Sequence, residues 1–150
     1  MRKNILIAIL FLCLCSVSIV SAVEIVVDNA VLGFNLNGEW SCNTGSVDKY
    51  GADYWYTLST VAKKPTSTAT WIPTLPIATT YQVWVWYPQG ANRILDAQYL
   101  VSHKAGVSCF YTNQTIHGGQ WCLLGTFNFD SGTTGNVQLT NLSKENGKAV

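Results

Sequence analysis

Two tryptophans one residue apart, Trp84 and Trp86, sit in the run Thr79 to Tyr87, where Tyr81, Val83, Val85 and Tyr87 alternate with Gln82, Trp84 and Trp86. Alternation of this kind sends the two sets to opposite faces of a strand. With the tyrosines and valines in the core, the indoles stand side by side on the other face, roughly 7 Å apart. Such a pair can seat a saccharide, because the apolar face of a sugar ring packs against an aromatic ring. The competing reading makes these rings core filling, or covers them with a neighbouring loop. Trp40, Trp71 and Trp121 read as structural in the same sense.

Sugar hydroxyls need amides, carboxylates and guanidinium groups beside the rings. The stretch from Pro88 to Asp96 supplies Gln89, Asn92, Arg93 and Asp96 directly after the aromatic strand, and the segment from Asn113 to Gly119 supplies a second polar rim with His117. The candidate ligand-binding set is therefore Trp84, Trp86, Asn92, Arg93, Asp96 and His117. Ordinary turn chemistry competes with it, with Arg93 paired to Asp96 and His117 a plain exposed loop residue.

Catalysis finds less to work with. The chain has two histidines and eight acidic residues, without Gly-x-Ser-x-Gly, His-Glu-x-x-His or a phosphate loop. Two carboxylates brought about 5 to 10 Å apart by folding would still suffice for a glycosidic bond, so an enzyme is a third reading. No cofactor is expected. Asp28, Asp53 or Asp130 offers hard oxygen for a structural calcium, and turn or cap roles account for them without one.

The elements that must position these groups read as strands. No segment after residue 22 carries apolar residues at helical spacing over three turns, whereas short β-branched and aromatic runs recur between Gly, Asn, Ser, Thr and Pro clusters. The expected strands are Glu24 to Asp28, Glu39 to Cys42, Tyr54 to Thr60, Ser67 to Trp71, Thr79 to Tyr87, Ala97 to His103, Val107 to Thr112, Gln120 to Phe129 and Asn136 to Leu142. Pro73 and Pro76 break any strand between Trp71 and Tyr81. Nine short strands fit a sandwich or barrel.

Residues 1 to 22 read as an export signal: Arg2 and Lys3, an apolar block from Ile5 to Cys15, then small residues around Val20-Ser21-Ala22. The block is shorter than the about 20 apolar residues of a membrane span. Cleavage before Val23 leaves one domain, residues 23 to 150, in an extracellular or cell-surface setting. Losing Arg2 and Lys3 leaves seven basic against eight acidic residues, which argues against nucleic acid or an anionic membrane as partner. Cys42, Cys109 and Cys122 remain. Cys109 and Cys122 fall on successive strands and can pair if the register sets them opposite; small buried apolar side chains are the other reading.

Several runs carry a resemblance: Val26-Val27-Asp28-Asn29 with Gly33-Phe34, Gly38-Glu39-Trp40, Gly51-Ala52-Asp53-Tyr54, Ala69-Thr70-Trp71-Ile72-Pro73, Tyr81 to Pro88, Gly90-Ala91-Asn92-Arg93, Gly118-Gly119-Gln120-Trp121 and Leu124-Gly125-Thr126-Phe127. In order and spacing they are similar to the golvesin C-terminal-like domain family, also found in xanthan lyases and described as similar to carbohydrate-binding domains. The resemblance implies an all-β, jelly-roll-like antiparallel β-sandwich, noncatalytic, holding a partner enzyme near a polysaccharide. It also implies a closing strand with an Asp-Ala pair, where this chain has Lys148-Ala149-Val150. A sandwich without that strand presents an open edge that invites a strand from a protein partner, unless the chain's own end substitutes. Two readings follow: a polysaccharide-binding module, or a surface interaction domain with no sugar site.

Overall fold

The computed structural model describes Ile5–Ala8 and residues 23–150, with side chains from Val23 onward. Its strands in chain order are β1 (Ile5–Ala8), β2 (Glu24–Val27), β3 (Phe34–Asn37), β4 (Ser41–Asn43), β5 (Tyr54–Tyr56), β6 (Thr68–Trp71), β7 (Thr79–Val85), β8 (Ala97–His103), β9 (Gly106–Thr112), β10 (Cys122–Phe129) and β11 (Asn136–Thr140). One layer is a five-stranded sheet in the order β3-β6-β11-β8-β9, antiparallel throughout. The other is built from the β7-β10 pair and the β1-β2 pair, with β4 and β5 forming a separate ribbon. Among the described residues there is no helix.

Alternation in β7 decides which face is inward. Tyr81, Val83 and Val85 are buried to 2% exposure or less, while Gln82 and Trp84 stay half-buried on the far side. These three meet Ala69 and Trp71 of β6, Tyr99 and Val101 of β8, and Val137 and Leu139 of β11 in one core. Each fully buried valine or leucine contributes on the order of 1.5–3 kcal/mol, so a one-residue slip of β7 would forfeit several such contributions at once. The two prolines mark a connection, as expected, and Leu75 within it is pinned by reciprocal backbone bonds to Gly132 of 2.9 and 2.8 Å.

The structure corrects the sequence reading at four places. The strand expected over Glu39 to Cys42 is β4, Ser41–Asn43, and an unexpected strand, β3, precedes it, ending before Gly38, whose φ is +84° and where a Cβ would lie 2.3 Å from the Thr66 carbonyl oxygen. The strand expected through Thr60 stops at Tyr56, and Thr57 to Ser59 pair instead with the end of the chain. Val150 N donates to Thr57 O at 2.9 Å, Ser59 N donates to Lys148 O at 2.7 Å, and Ala149 bridges Leu58 on one side and Arg93 on the other. The open edge expected for want of a closing strand is therefore filled at this place by the chain's own Lys148 to Val150. Cys109 and Cys122 do not pair: β9 and β10 are successive but lie in different layers, and Cys42, Cys109 and Cys122 are all free thiols. Separately, within the stretch read as an export signal, Ile5–Ala8 forms an antiparallel ladder with β2. The remainder of residues 1 to 22 lies outside the described residues.

Candidate functional site

A cleft of about 80 Å³ opens where the loops after β2, before β5 and after β7 meet the chain end. Its walls are aromatic: Trp40, Tyr54 and Trp55 from the β3-to-β5 segment, Trp71 from β6 and Trp86 just beyond β7. The polar groups are few and largely buried. Asp28 is 4% exposed, Arg93 7% and Gln114 3%. Asn29 donates its side-chain amide to the Asp53 carboxylate, which joins the loop after β2 to the loop before β5.

Three polar atoms in this cleft are buried without a hydrogen-bond partner among the described residues: Asn29 Oδ1, Trp71 Nε1 and Arg93 Nε. A buried donor or acceptor left unpaired costs about 1–3 kcal/mol, and native interiors keep few of them. The residues that carry this acceptor and these two donors all line the one cleft, whose volume has room for several waters. A hydroxyl both donates and accepts, so a polyol is chemically matched to that set.

Trp86 is a fixed wall rather than an open platform. Its Nε1 donates to the Asp48 carbonyl oxygen at 2.8 Å, and its ring meets Tyr50 and Trp121 edge-on at 5.1 and 5.3 Å. The loop carrying Asp48 and Tyr50 thus covers one side of the indole, as the competing sequence reading allowed. Behind it, the Tyr87 hydroxyl donates to Ile116 O at 3.1 Å. Tyr99 lines the cleft deeper in, where its hydroxyl accepts a 3.3 Å bond from Gln114 Nε2 and burial pushes the phenol pKa up.

Of the residues singled out in the sequence, the structure brings Trp86 and Arg93 together in the cleft and leaves the other four outside its lining. Trp84 is half-buried on the outward face of β7, with its Nε1 buried and unpartnered among the described residues. Asn92 is exposed, and its carbonyl accepts from Ala149 N at 3.0 Å. Asp96 does not pair with Arg93; it accepts from the Ser143 hydroxyl and from Lys144 N, capping that turn. His117 is exposed in a left-handed turn at φ 60°. As site residues, sequence reasoning passed over Asn29 and Tyr54, whose signals were an Asp-Asn pair ending a strand and an unbroken Tyr-Trp-Tyr run, and read Trp71 as structural, although it lines the cleft.

The three aspartates considered for calcium are dispersed: Asp28 and Asp53 line the cleft, whereas Asp130 pairs with Lys104 at 2.8 Å on the surface. Among the described residues no group of three or more His, Cys, Asp or Glu side chains could hold a metal ion. No described helix is long and apolar enough to cross a membrane.

Residues 25–150 match the model of the Golvesin C-terminal domain. The chain belongs to that family. Within the golvesin C-terminal family it is 35% identical over 119 residues to the xanthan lyase of Bacillus sp. (strain GL1), covering 79% of this chain and 13% of the lyase. It is 29% identical over 112 residues to golvesin of Dictyostelium discoideum, covering 74% of this chain and 19% of that protein. Among solved structures, Paenibacillus xanthan lyase superposes with a TM-score of 0.77 at 33% identity over 84% of this chain and 12% of the lyase chain. The all-β sandwich is therefore shared with a segment of a xanthan lyase, and this chain spans less than a fifth of the length of each of these proteins.

Proposed function

We propose that this golvesin C-terminal domain is a noncatalytic, extracellular glycan-binding module, and that the cleft between Tyr54, Trp86 and Arg93 takes one sugar residue of a polysaccharide. The observation that carries the reading is that Asn29, Trp71 and Arg93, whose Oδ1, Nε1 and Nε are buried without a partner among the described residues, line one aromatic-walled cleft. Walls of tryptophan and tyrosine suit the C–H face of a pyranose, while the three polar atoms and Gln114 suit its hydroxyls. Likeness to a segment of a xanthan lyase supports a polysaccharide as the ligand class.

A noncatalytic role fits the carboxylates. Asp53 is engaged as acceptor for Asn29, and Asp28 is enclosed at 4% exposure. Neither stands as an open acid facing a solvated base across the cleft. The experiment is titration of the exported protein against a panel of neutral and acidic oligosaccharides by calorimetry, with a lyase and hydrolase assay on the same panel. Saturable binding without turnover is the expected result. A well-folded protein that binds nothing on the panel, or that cleaves a member of it, overturns the reading.

A further inference from the structure

The second layer of the sandwich is held together by the segment read as the export signal. β2 has one ladder, to Ile5–Ala8, in the register Ile5↔Val27, Leu6↔Val26, Ile7↔Ile25 and Ala8↔Glu24. Ile5–Ala8 also runs alongside β7, with Cα atoms within 8 Å. β7 spends its other edge on β10. Among the described residues β2 and β7 share no ladder with each other.

We propose that removal of residues 1–22 opens a groove one strand wide between β2 and β7, and that an uncharged apolar strand from a second polypeptide fills it. Hydrogen-bonded strands sit about 4.8 Å apart, so withdrawing Ile5–Ala8 leaves β2 without its ladder partner and removes the strand that lies between it and β7, with which β2 shares no ladder. The bared backbone groups of β2 border the gap, and the strands flanking it carry core side chains: Val27 is 4% exposed, Val83 0% and Val85 2%. The chemistry of the occupant is set by what sits there in the uncleaved chain, the uncharged run Ile-Leu-Ile-Ala, antiparallel to β2. No residue of β7 is charged, and Glu24 is the one charge on β2, at its outer end. The chain's own last residues are already committed, because Ala149 bridges Leu58 and Arg93. Strand addition here restores the backbone ladder of β2 and adds apolar burial beside β7. This surface is independent of the aromatic cleft and of its ligand.

The test exports the full chain in a secreting host, identifies the N-terminus of the product by mass spectrometry, and titrates it with a labelled peptide of residues 3 to 10. A second peptide carries Leu6→Pro and Ile7→Pro, which remove backbone donors. A product starting near Val23 should bind one wild-type peptide per domain, gain roughly 5 °C or more in Tm at saturation, and ignore the proline peptide. A product that is unfolded alone and folds when the peptide is added supports the proposal equally. Retention of Ile5–Ala8 in the exported protein overturns it. So does a folded product starting near Val23 that takes no peptide, or a dimer that the peptide converts to monomer, which would make a second copy the occupant. Peptide binding that survives Arg93→Met separates this surface from the glycan cleft.

Discussion

The guanidinium of Arg93 lies over the ring of Tyr54, its Cζ 5.1 Å from the ring centroid. The contact holds a 7% exposed cation against the cleft wall while its Nε has no hydrogen-bond partner among the described residues. Hydrogen bonds to charged groups contribute about 1.5–3 kcal/mol, so Arg93→Met should weaken glycan binding by roughly 10- to 100-fold. Arg93→Lys should not restore it, since a lysine lacks the planar fork that sets Nε in place. Calorimetry on both variants checks this, and unchanged affinity in the Met variant would remove Arg93 from the site.

Asn141 is 2% exposed and its side chain makes four bonds: it accepts from Thr66 N and Ser67 N at 3.0 and 3.1 Å, and donates to Leu58 O and Thr66 Oγ1 at 2.9 Å each. One amide thus ties the end of β11 to both ends of the connection between β5 and β6. Replacing it with leucine strands several buried polar groups at about 1–3 kcal/mol each. Asn141→Leu should lower unfolding free energy in urea by about 3 kcal/mol or more; a loss under about 1 kcal/mol would mean water takes over the bonds.

Tyr99 predicts a one-sided pH response. Burial, its largest influence, raises the phenol above the ordinary value of 10.0, while the Gln114 bond works in the opposite direction. The folded state therefore keeps the proton that the unfolded chain releases, and stability present below pH 10 is lost as pH climbs beyond it. Melting curves from pH 8 to 11.5 should fall less steeply at the alkaline end for Tyr99→Phe than for the wild type. Parallel curves would show that another group governs the alkaline limit.

The three thiols should differ in access. Cys42 and Cys109 are exposed, whereas Cys122 is half-buried with its Sγ 3.2 Å from the His117 carbonyl oxygen. A thiol-reactive chromophore on a protein of residues 23 to 150 should titrate two groups quickly and the third slowly, or only in denaturant. Fewer than three groups in denaturant would reveal a disulfide that this fold does not contain.

Strands with strict alternation were legible: β8 has the expected bounds, and β7 buries the face assigned to it. β3 was missed because Asn35 and Asn37 occupy its outward positions, and asparagine is a poor strand former that reads as loop. Thr57 to Ser59 was correctly seen as extended, but its partner is the chain end, a pairing no local pattern announces. The cleft was half legible for a similar reason. Trp86 and Arg93 are close in sequence, whereas Asn29 meets Asp53 and Arg93 meets Tyr54 across loops that only the folded chain brings together.

β9 closes one side of the five-stranded sheet, and its run Gly-Val-Ser-Cys-Phe-Tyr-Thr holds no charge and no proline. Val107 and Tyr111 on it are 65% and 64% exposed. Natural proteins blunt such borders with lysine, proline or a bulge, and the ion pair between Lys104 and Asp130 sits just before this strand rather than on it. In concentrated stocks, the first molecules to stick together should do so along β9. A lysine at position 107 would be the least intrusive way to keep preparations clear.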